Sequence, residues 1–234
     1  MSTENDIISK IIRTTQQHPK VAILMSGKGS NADVILTNRN MYPNFEFNMV
    51  FTDQPQSNAQ KIAEKYGLDY QTIEFDKSVR LRTAYFQRVS DLLRHKEIDF
   101  LVYAGFMRIA SDFFVREFPG INMHPADLTI KGDNGKPKYR GMDALPMAIS
   151  AGEGYVASTV YVVDVDVDCG FPIAVSKPYP TTQEDLLDIP ALHERLKVER
   201  EHILYPQILS LLSQGRISIH DIPLSQVDVE GLLF

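Results

Sequence analysis

Short apolar runs alternate with polar, helix-periodic segments through the first half of the chain. VAILMS (21–26) predicts a strand, GKGSN (27–31) a glycine-rich turn and ADVILTNR (32–39) a helix. FEFNMVFT (45–52) predicts a second strand, SNAQKIAEKYG (57–67) a helix ended by Gly67 at its C′ position, and YQTIEF (70–75) a third strand. A long helix from Ser78 to His95 leads into the buried strand DFLVYAG (99–105). Ahead of these, residues 6–15 place Ile7, Ile8, Ile11 and Ile12 on one face of a short amphipathic helix. This alternation predicts a Rossmann-like α/β fold, a mostly parallel twisted sheet with helices on both faces.

The second half is less regular. GINMH (120–124) predicts a strand end running into a loop, and KGDNGKPKYR (131–140) a polar, turn-rich loop. A helix over Asp143–Ala151, strands near STVYVVDV (158–165) and IAVSKPYP (173–180), and one long helix from Thr182 to Gln214 follow. The expected organisation is an N-terminal helical extension (1–19), one domain (20–215) and a mostly extended C-terminal tail (216–234) packing on it.

Composition narrows the class. With 234 residues and 44% hydrophobic positions, the chain suffices for one sizeable core and is too apolar for disorder. A net charge of −6 argues against a nucleic-acid partner, because phosphate backbones are bound by a Lys and Arg surplus. A local basic pocket for a small phosphorylated ligand remains compatible with it. The single cysteine, Cys169, excludes an internal disulfide and a cysteine-rich zinc site, and its local sequence marks it as a packed thiol. The first residues lack the apolar core of a leader peptide, and no run approaches the roughly 18–20 residues of a membrane span. The expectation is a cytoplasmic protein, monomeric or homodimeric, with no membrane partner.

Three motifs carry candidate chemistry. In Ser26-Gly27-Lys28-Gly29-Ser30-Asn31, backbone N–H groups and a helix N-terminus form an anion site. Neither the dinucleotide fingerprint nor a P-loop fits its spacing; a mononucleotide or sugar-phosphate fits better, and a tight turn without ligand is the plain alternative. Asn122-Met123-His124 ends a predicted strand, the position where ligands lie in open α/β sheets, and supplies amide and imidazole donors suited to an oxyanion. A satisfied polar strand end reads equally well from this motif alone. The acidic run Asp164–Asp168 lacks the glycine and terminal glutamate of a calcium loop and predicts a solvated loop, with Asp168 in a turn before Cys169-Gly170. The other histidines, His193 and His202 among them, show no metal-ligand spacing and predict surface or capping positions.

Together VAILMSGKGSN (21–31), LRTAYF (81–86), LVYAGFMRI (101–109), INMHP (121–125), VDCG (167–170) and EHILYP (201–206) resemble the glycinamide ribonucleotide transformylase family of 10-formyltetrahydrofolate-dependent formyltransferases. The segments occur in the family's order from about Lys20 to Gly215, and AGFMRI with Asn-x-His and a downstream Asp is the specific combination. The resemblance implies a catalytic set of Asn122, His124 and Asp168. It implies a phosphate-binding turn of Gly27, Lys28, Gly29, Ser30 and Asn31 with Arg82 as basic partner, and Glu201 as receiver of the substrate amino group. It implies a folate pocket lined by Phe106, Met107, Arg108, Ile109, Val163, Asp164 and Asp166. 10-Formyltetrahydrofolate is the implied co-substrate, with no metal.

The chain departs from the family at Ala126-Asp127-Leu128-Thr129, in the longer segment 131–138, at Asp143, at Tyr161 where His is frequent, and in Asp-Cys-Gly-Phe-Pro (168–172). These positions lie on the acceptor side or its lid. The resemblance implies formyl transfer to a primary amine, with His124 and Asn122 donating to the oxyanion and Asp168 orienting the imidazole and favouring its protonated form. Glycinamide ribonucleotide in purine biosynthesis is the expected acceptor; another small amine such as an amino sugar is the first alternative. A tRNA-directed formyltransferase or a folate hydrolase would be expected to bring a further domain. A non-folate nucleotide-binding or redox protein rests on the glycine turn and fold alone.

Overall fold

The computed structural model describes residues 9–75 and 82–217, residue 12 excepted. Its centre is β1 (Lys20–Met25), buried from Val21 onward and flanked by β2 (Glu46–Thr52) and β4 (Phe100–Tyr103). Every residue of β4 is buried, so both faces of these strands are covered and the sequence shows an unbroken apolar run rather than alternation. β3 (Asp69–Thr72), β5 (Gly120–His124), β7 (Thr159–Val162) and β8 (Pro172–Val175) complete a seven-stranded sheet in the order β3-β2-β1-β4-β5-β7-β8. The first five strands in that order run parallel; β7 and β8 are antiparallel to their neighbours. This is the Rossmann-like α/β architecture expected, with an antiparallel edge.

Helices α1 (Ser30–Thr37), α2 (Ala59–Tyr66), α3 (Arg82–His95), α4 (Asp112–Glu117) and α7 (His202–Ser213) flank the sheet. A satellite core of Tyr139, Leu145, Ile149, Val156, Leu192 and Leu196 joins α5 (Ala144–Ser150) to α6 (Ile189–Leu196). It anchors the segment after β5 over the sheet edge. A two-stranded ribbon of β6 (Tyr155–Val156) and β9 (Tyr179–Pro180) lies beside it.

Three expectations change. The short α4 has no counterpart in the sequence reading. The single helix over 182–214 is interrupted: a 3₁₀ segment (Gln183–Asp188) precedes α6, and a π-helical turn (Lys197–Glu201) separates α6 from α7. The Asp188 side chain accepts from the Ala191 amide at 3.0 Å, and Pro190 occupies the first turn, so α6 starts anew there. The third strand ends at Thr72 rather than Phe75, and residues 78–81 of the expected helix lie outside the described residues.

Residues 9–15 are helical where described; Ile11 is buried in the main core, and the Lys10 ammonium donates to the Arg116 and Glu117 carbonyls at the end of α4. Of the expected tail, Arg216 and Ile217 are described and Ile217 is buried; the rest lies outside the described residues.

Candidate active site

Cross-strand register builds the centre. Asn122 on β5 pairs directly with Tyr161 on β7, which puts the two side chains next to each other on one face. The Asn122 amide donates to the Tyr161 hydroxyl at 2.9 Å, and that hydroxyl donates to Asp168 Oδ1 at 2.6 Å. The backbone N–H of Gly141 donates to Asp168 Oδ2 at 2.8 Å, and His124 Nδ1 lies 3.4 Å from the same oxygen. The sequence trio therefore converges, with His124 and Asp168 both buried.

Two backbone features set this geometry. Asp168 has φ +50°, a left-handed conformation Asp tolerates better than most residues. At Gly170 an added Cβ would lie 1.7 Å from the Val162 carbonyl oxygen, so the chain passes β7 more closely than any side chain permits. Beneath the site, the Tyr205 hydroxyl sits 2.9 Å from both the Tyr103 and Ile121 carbonyls and braces β4 against β5.

Two opposing influences act on the His124 ring. Burial lowers its pKa below the ordinary histidine value, outweighing the opposing pull of Asp168 and of the Tyr139 carbonyl. Its Nε2 is 3.0 Å from the Tyr139 carbonyl, which only accepts, so Nε2 carries a proton, and Nδ1 faces Asp168. A proton arriving at Nδ1 would find the carboxylate waiting. Tyr139 itself is buried, its hydroxyl donating to Glu153 at 2.6 Å.

The glycine turn joins β1 to α1 as expected. Gly29 has φ +76°, and a Cβ there would meet Ile62 Cδ1 at 2.4 Å and Met25 Cε at 2.6 Å. The Gly27 carbonyl accepts from the Asn58 amide at 3.1 Å, leaving the turn's outer face with exposed Lys28. Glu201 lies beneath, 2% exposed, its carboxylate accepting from Asn31 Nδ2 at 2.8 Å and from the Ser158 hydroxyl at 3.2 Å. Burial raises its pKa despite these bonds. Each Glu201 oxygen accepts one hydrogen bond, so the carboxylate anchors Asn31 and Ser158 and keeps a further acceptor site on each oxygen. Arg82 is exposed at the first position of α3 and makes no hydrogen bond or ion pair among the described residues; the structure does not join it to the turn.

Phe106, Met107, Arg108 and Ile109 follow β4, beside Asn122. Phe106 is buried, while Met107 and Ile109 are each 51% exposed, an unpartnered apolar pair at the carboxyl edge. Arg108 points elsewhere: it ion-pairs with the fully buried Asp53 at the end of β2 and stacks 4.4 Å from the Phe75 ring. The Ser26 hydroxyl donates to Asp53 and accepts from the Met107 amide at 2.9 Å, pinning this loop to β1 and β2. Val163 and Asp164 are half-buried; Asp166 is exposed and ion-paired with Lys136 at 2.6 Å. A cavity of about 550 Å³ lies on the outer side of that loop, lined by Asp164, Asp166, Cys169, Arg116, Lys131 and Lys136 among others. Its lining includes none of Asn122, His124 or Phe106–Ile109, and reaches the trio only through Cys169, the neighbour of Asp168.

Sequence reasoning missed Tyr161 as a site member, together with Ser158 and Asp53. Asp53 follows a strand at the ligand-bearing edge, a signal available in the sequence. The Tyr161 link depends on strand register and was not. Cys169 gains a cation from afar, accepting from Arg140 at 3.2 Å, and His193 is half-buried near His124 rather than at the surface, its pKa pushed down to about 4 by burial and Lys197. Among the described residues no three His, Cys, Asp or Glu side chains form a metal-ligand group. No described helix is long and apolar enough to cross a membrane.

A parallel sheet with an anion turn after β1 and an amide–imidazole–carboxylate centre at its carboxyl edge defines a Rossmann-like protein equipped for group transfer. The chain belongs to the formyl transferase family, which it matches over residues 19–209. It is 30% identical over 197 residues to phosphoribosylglycinamide formyltransferase of Bacillus subtilis (strain 168), covering 82% of this chain and 94% of that one. It is 29% identical over 203 residues to the human trifunctional purine biosynthetic protein adenosine-3, covering 86% of this chain; the chain spans about a fifth of the length of that relative. Glycinamide ribonucleotide transformylase 1 from Symbiobacterium toebii superposes with a TM-score of 0.74 at 26% identity, over 87% of this chain and 92% of that one.

Proposed function

We propose that this protein transfers a formyl group from 10-formyltetrahydrofolate to the primary amine of glycinamide ribonucleotide, a step of purine biosynthesis. The observation that carries the reading is the convergence of Asn122, His124 and Asp168 at the carboxyl edge of the sheet, in a chain of the formyl transferase family. The name of the Bacillus subtilis relative, nearly all of which the match covers, supports the acceptor.

The folate supplies the formyl group at the level of an activated amide. The residues fit such a partner: exposed Met107 and Ile109 over buried Phe106 offer an apolar wall for a flat ring, next to Asn122. One Asn122 N–H is committed to Tyr161, which leaves the second to stabilise the oxygen that gains negative charge. His124 Nε2–H, now on the Tyr139 carbonyl, is the second donor once that segment yields to substrate. In its neutral form His124 accepts the amine's proton at Nδ1, where Asp168 stabilises the imidazolium, and the proton passes to N10 of the folate as the bond from the formyl carbon to N10 breaks. The Gly27–Asn31 turn with Lys28 holds the acceptor's phosphate through backbone N–H groups.

A small amine such as an amino sugar is the second acceptor to test. A steady-state assay with one folate donor and a panel of amines tests both readings. Turnover should be fastest with glycinamide ribonucleotide, and Asp168→Asn or His124→Ala should lower kcat by at least about 100-fold, one donor being worth about 2.7–4 kcal/mol. Near-wild-type rates in both variants would remove these roles.

A further inference from the structure

Tyr161 lies between two members of the catalytic centre, and hydrogen counting fixes what it does there. Its hydroxyl has one proton and meets two groups: the Asn122 amide at 2.9 Å and Asp168 Oδ1 at 2.6 Å. The carboxylate oxygen only accepts, so the phenol proton points to Asp168, and the phenol oxygen is then free only to accept. The Asn122 amide must turn its NH₂ toward Tyr161. Turned the other way, the Asn122 carbonyl would compete with Asp168 for the same single proton, and one acceptor would stay unsatisfied in a buried site. The ring is 4% exposed, so no water substitutes for it. The backbone contributes too, because Asn122 and Tyr161 are paired residues on β5 and β7.

We propose that Tyr161 is a positioning residue: through one hydroxyl it fixes both the orientation of the Asn122 amide and the lie of the Asp168 carboxylate. The consequence is coupling. The amide donor that faces the formyl oxygen and the carboxylate that faces His124 are aligned by the same atom and move together. A phenylalanine at this position keeps the ring packing and removes the coupling. A histidine can restore half of it, because a neutral ring donates from one nitrogen and accepts at the other.

The inference rests on the formyl-transfer reading for its kinetic consequence and stands apart from it for its structural one. The test uses Tyr161→Phe and Tyr161→His in the full chain. In assays of formyl transfer, Tyr161→Phe removes both hydrogen bonds and should lower kcat by at least about ten-fold, the size of one such bond. KM for both substrates should stay within about two-fold, and Tyr161→His should recover part of the kcat loss. The independent readout is the side-chain amide resonance of Asn122 in ¹⁵N-labelled protein, assigned by its loss in Asn122→Asp. Tyr161→Phe should shift or broaden that signal and speed its hydrogen exchange, with the backbone amide spectrum elsewhere retained. An unchanged Asn122 side-chain signal, or an unchanged kcat in an otherwise active enzyme, would overturn the proposal. If the wild-type protein formylates no amine while the Asn122 signal still responds to Tyr161→Phe, the positioning role stands and the assigned reaction fails.

Discussion

Replacing Gly170 by alanine tests how the fold delivers its carboxylate. The added Cβ would lie 1.7 Å from the Val162 carbonyl oxygen and 2.9 Å from its carbon. Carbon–oxygen contacts settle at about 3.3 Å or more, so the two backbone segments must part by roughly 1.6 Å. The obstacle is main chain, and no rotamer change relieves it. The Val162 amide donates to the Phe171 carbonyl at 2.9 Å, one residue beyond Gly170, and that bond is the first to be strained. Losing it and crowding the turn should cost about 2–4 kcal/mol, against a total stability of about 5–15 kcal/mol, so the variant stays folded. For a chain of this size that lowers Tm by about 4–16 °C. Asp168 is two residues away, and a displacement of about 1 Å costs on the order of 100-fold in rate. Thermal unfolding followed by circular dichroism and steady-state formyl transfer, measured on one preparation, give both numbers. An unchanged Tm with kcat within two-fold of wild type would refute the close-approach argument.

Other consequences follow from buried titratable and paired groups. His193, pushed down to about 4 by burial, and His124, lowered by burial, bind protons less readily folded than unfolded. Their contribution is complete above the ordinary histidine value of about 6.5 and is lost as pH falls through the folded values; Tm in His193→Gln should therefore fall less steeply than wild type between pH 6.5 and 4. Glu201 has its pKa raised by burial, so its ionised form is penalised at neutral pH. Glu201→Gln keeps a partner for Asn31, lets the Ser158 hydroxyl turn to accept, and should hold or raise Tm at pH 8. Any gain should vanish toward pH 4, and a Tm loss at pH 8 would contradict the sign. Asp53→Ala strands Arg108 and unpins the loop after β4; it should cost about 3 kcal/mol in urea denaturation and raise KM for the folate more than KM for the amine.

The readable parts of this molecule were those whose physics is local. β1, its glycine turn and α1 could be read because a strand buried on both faces shows as VAILM, and Gly29 marks a turn no other residue fits. Asn122 and His124 stood out as donors at a strand end. Asp168 could be placed in a turn, but its meeting with His124 depends on β7 returning antiparallel to β5 and on the close pass at Gly170, neither encoded locally. Tyr161 looked like a mere departure from the family until register placed it opposite Asn122. The π turn at Lys197–Glu201 is hidden because it lies within one continuous helix-periodic run, and the role of Arg82 rests on resemblance alone.

The central claim is that this centre moves a formyl group from folate nitrogen to an amine. The most direct measurement is a single turnover with 10-formyltetrahydrofolate carrying an isotopic label in the formyl carbon, glycinamide ribonucleotide as acceptor, and mass analysis of the products. The account predicts label in the amide of the formylated ribonucleotide with wild-type protein, and its loss with Asp168→Asn. Label recovered as formate, or left on the donor while the ribonucleotide is bound, would contradict it.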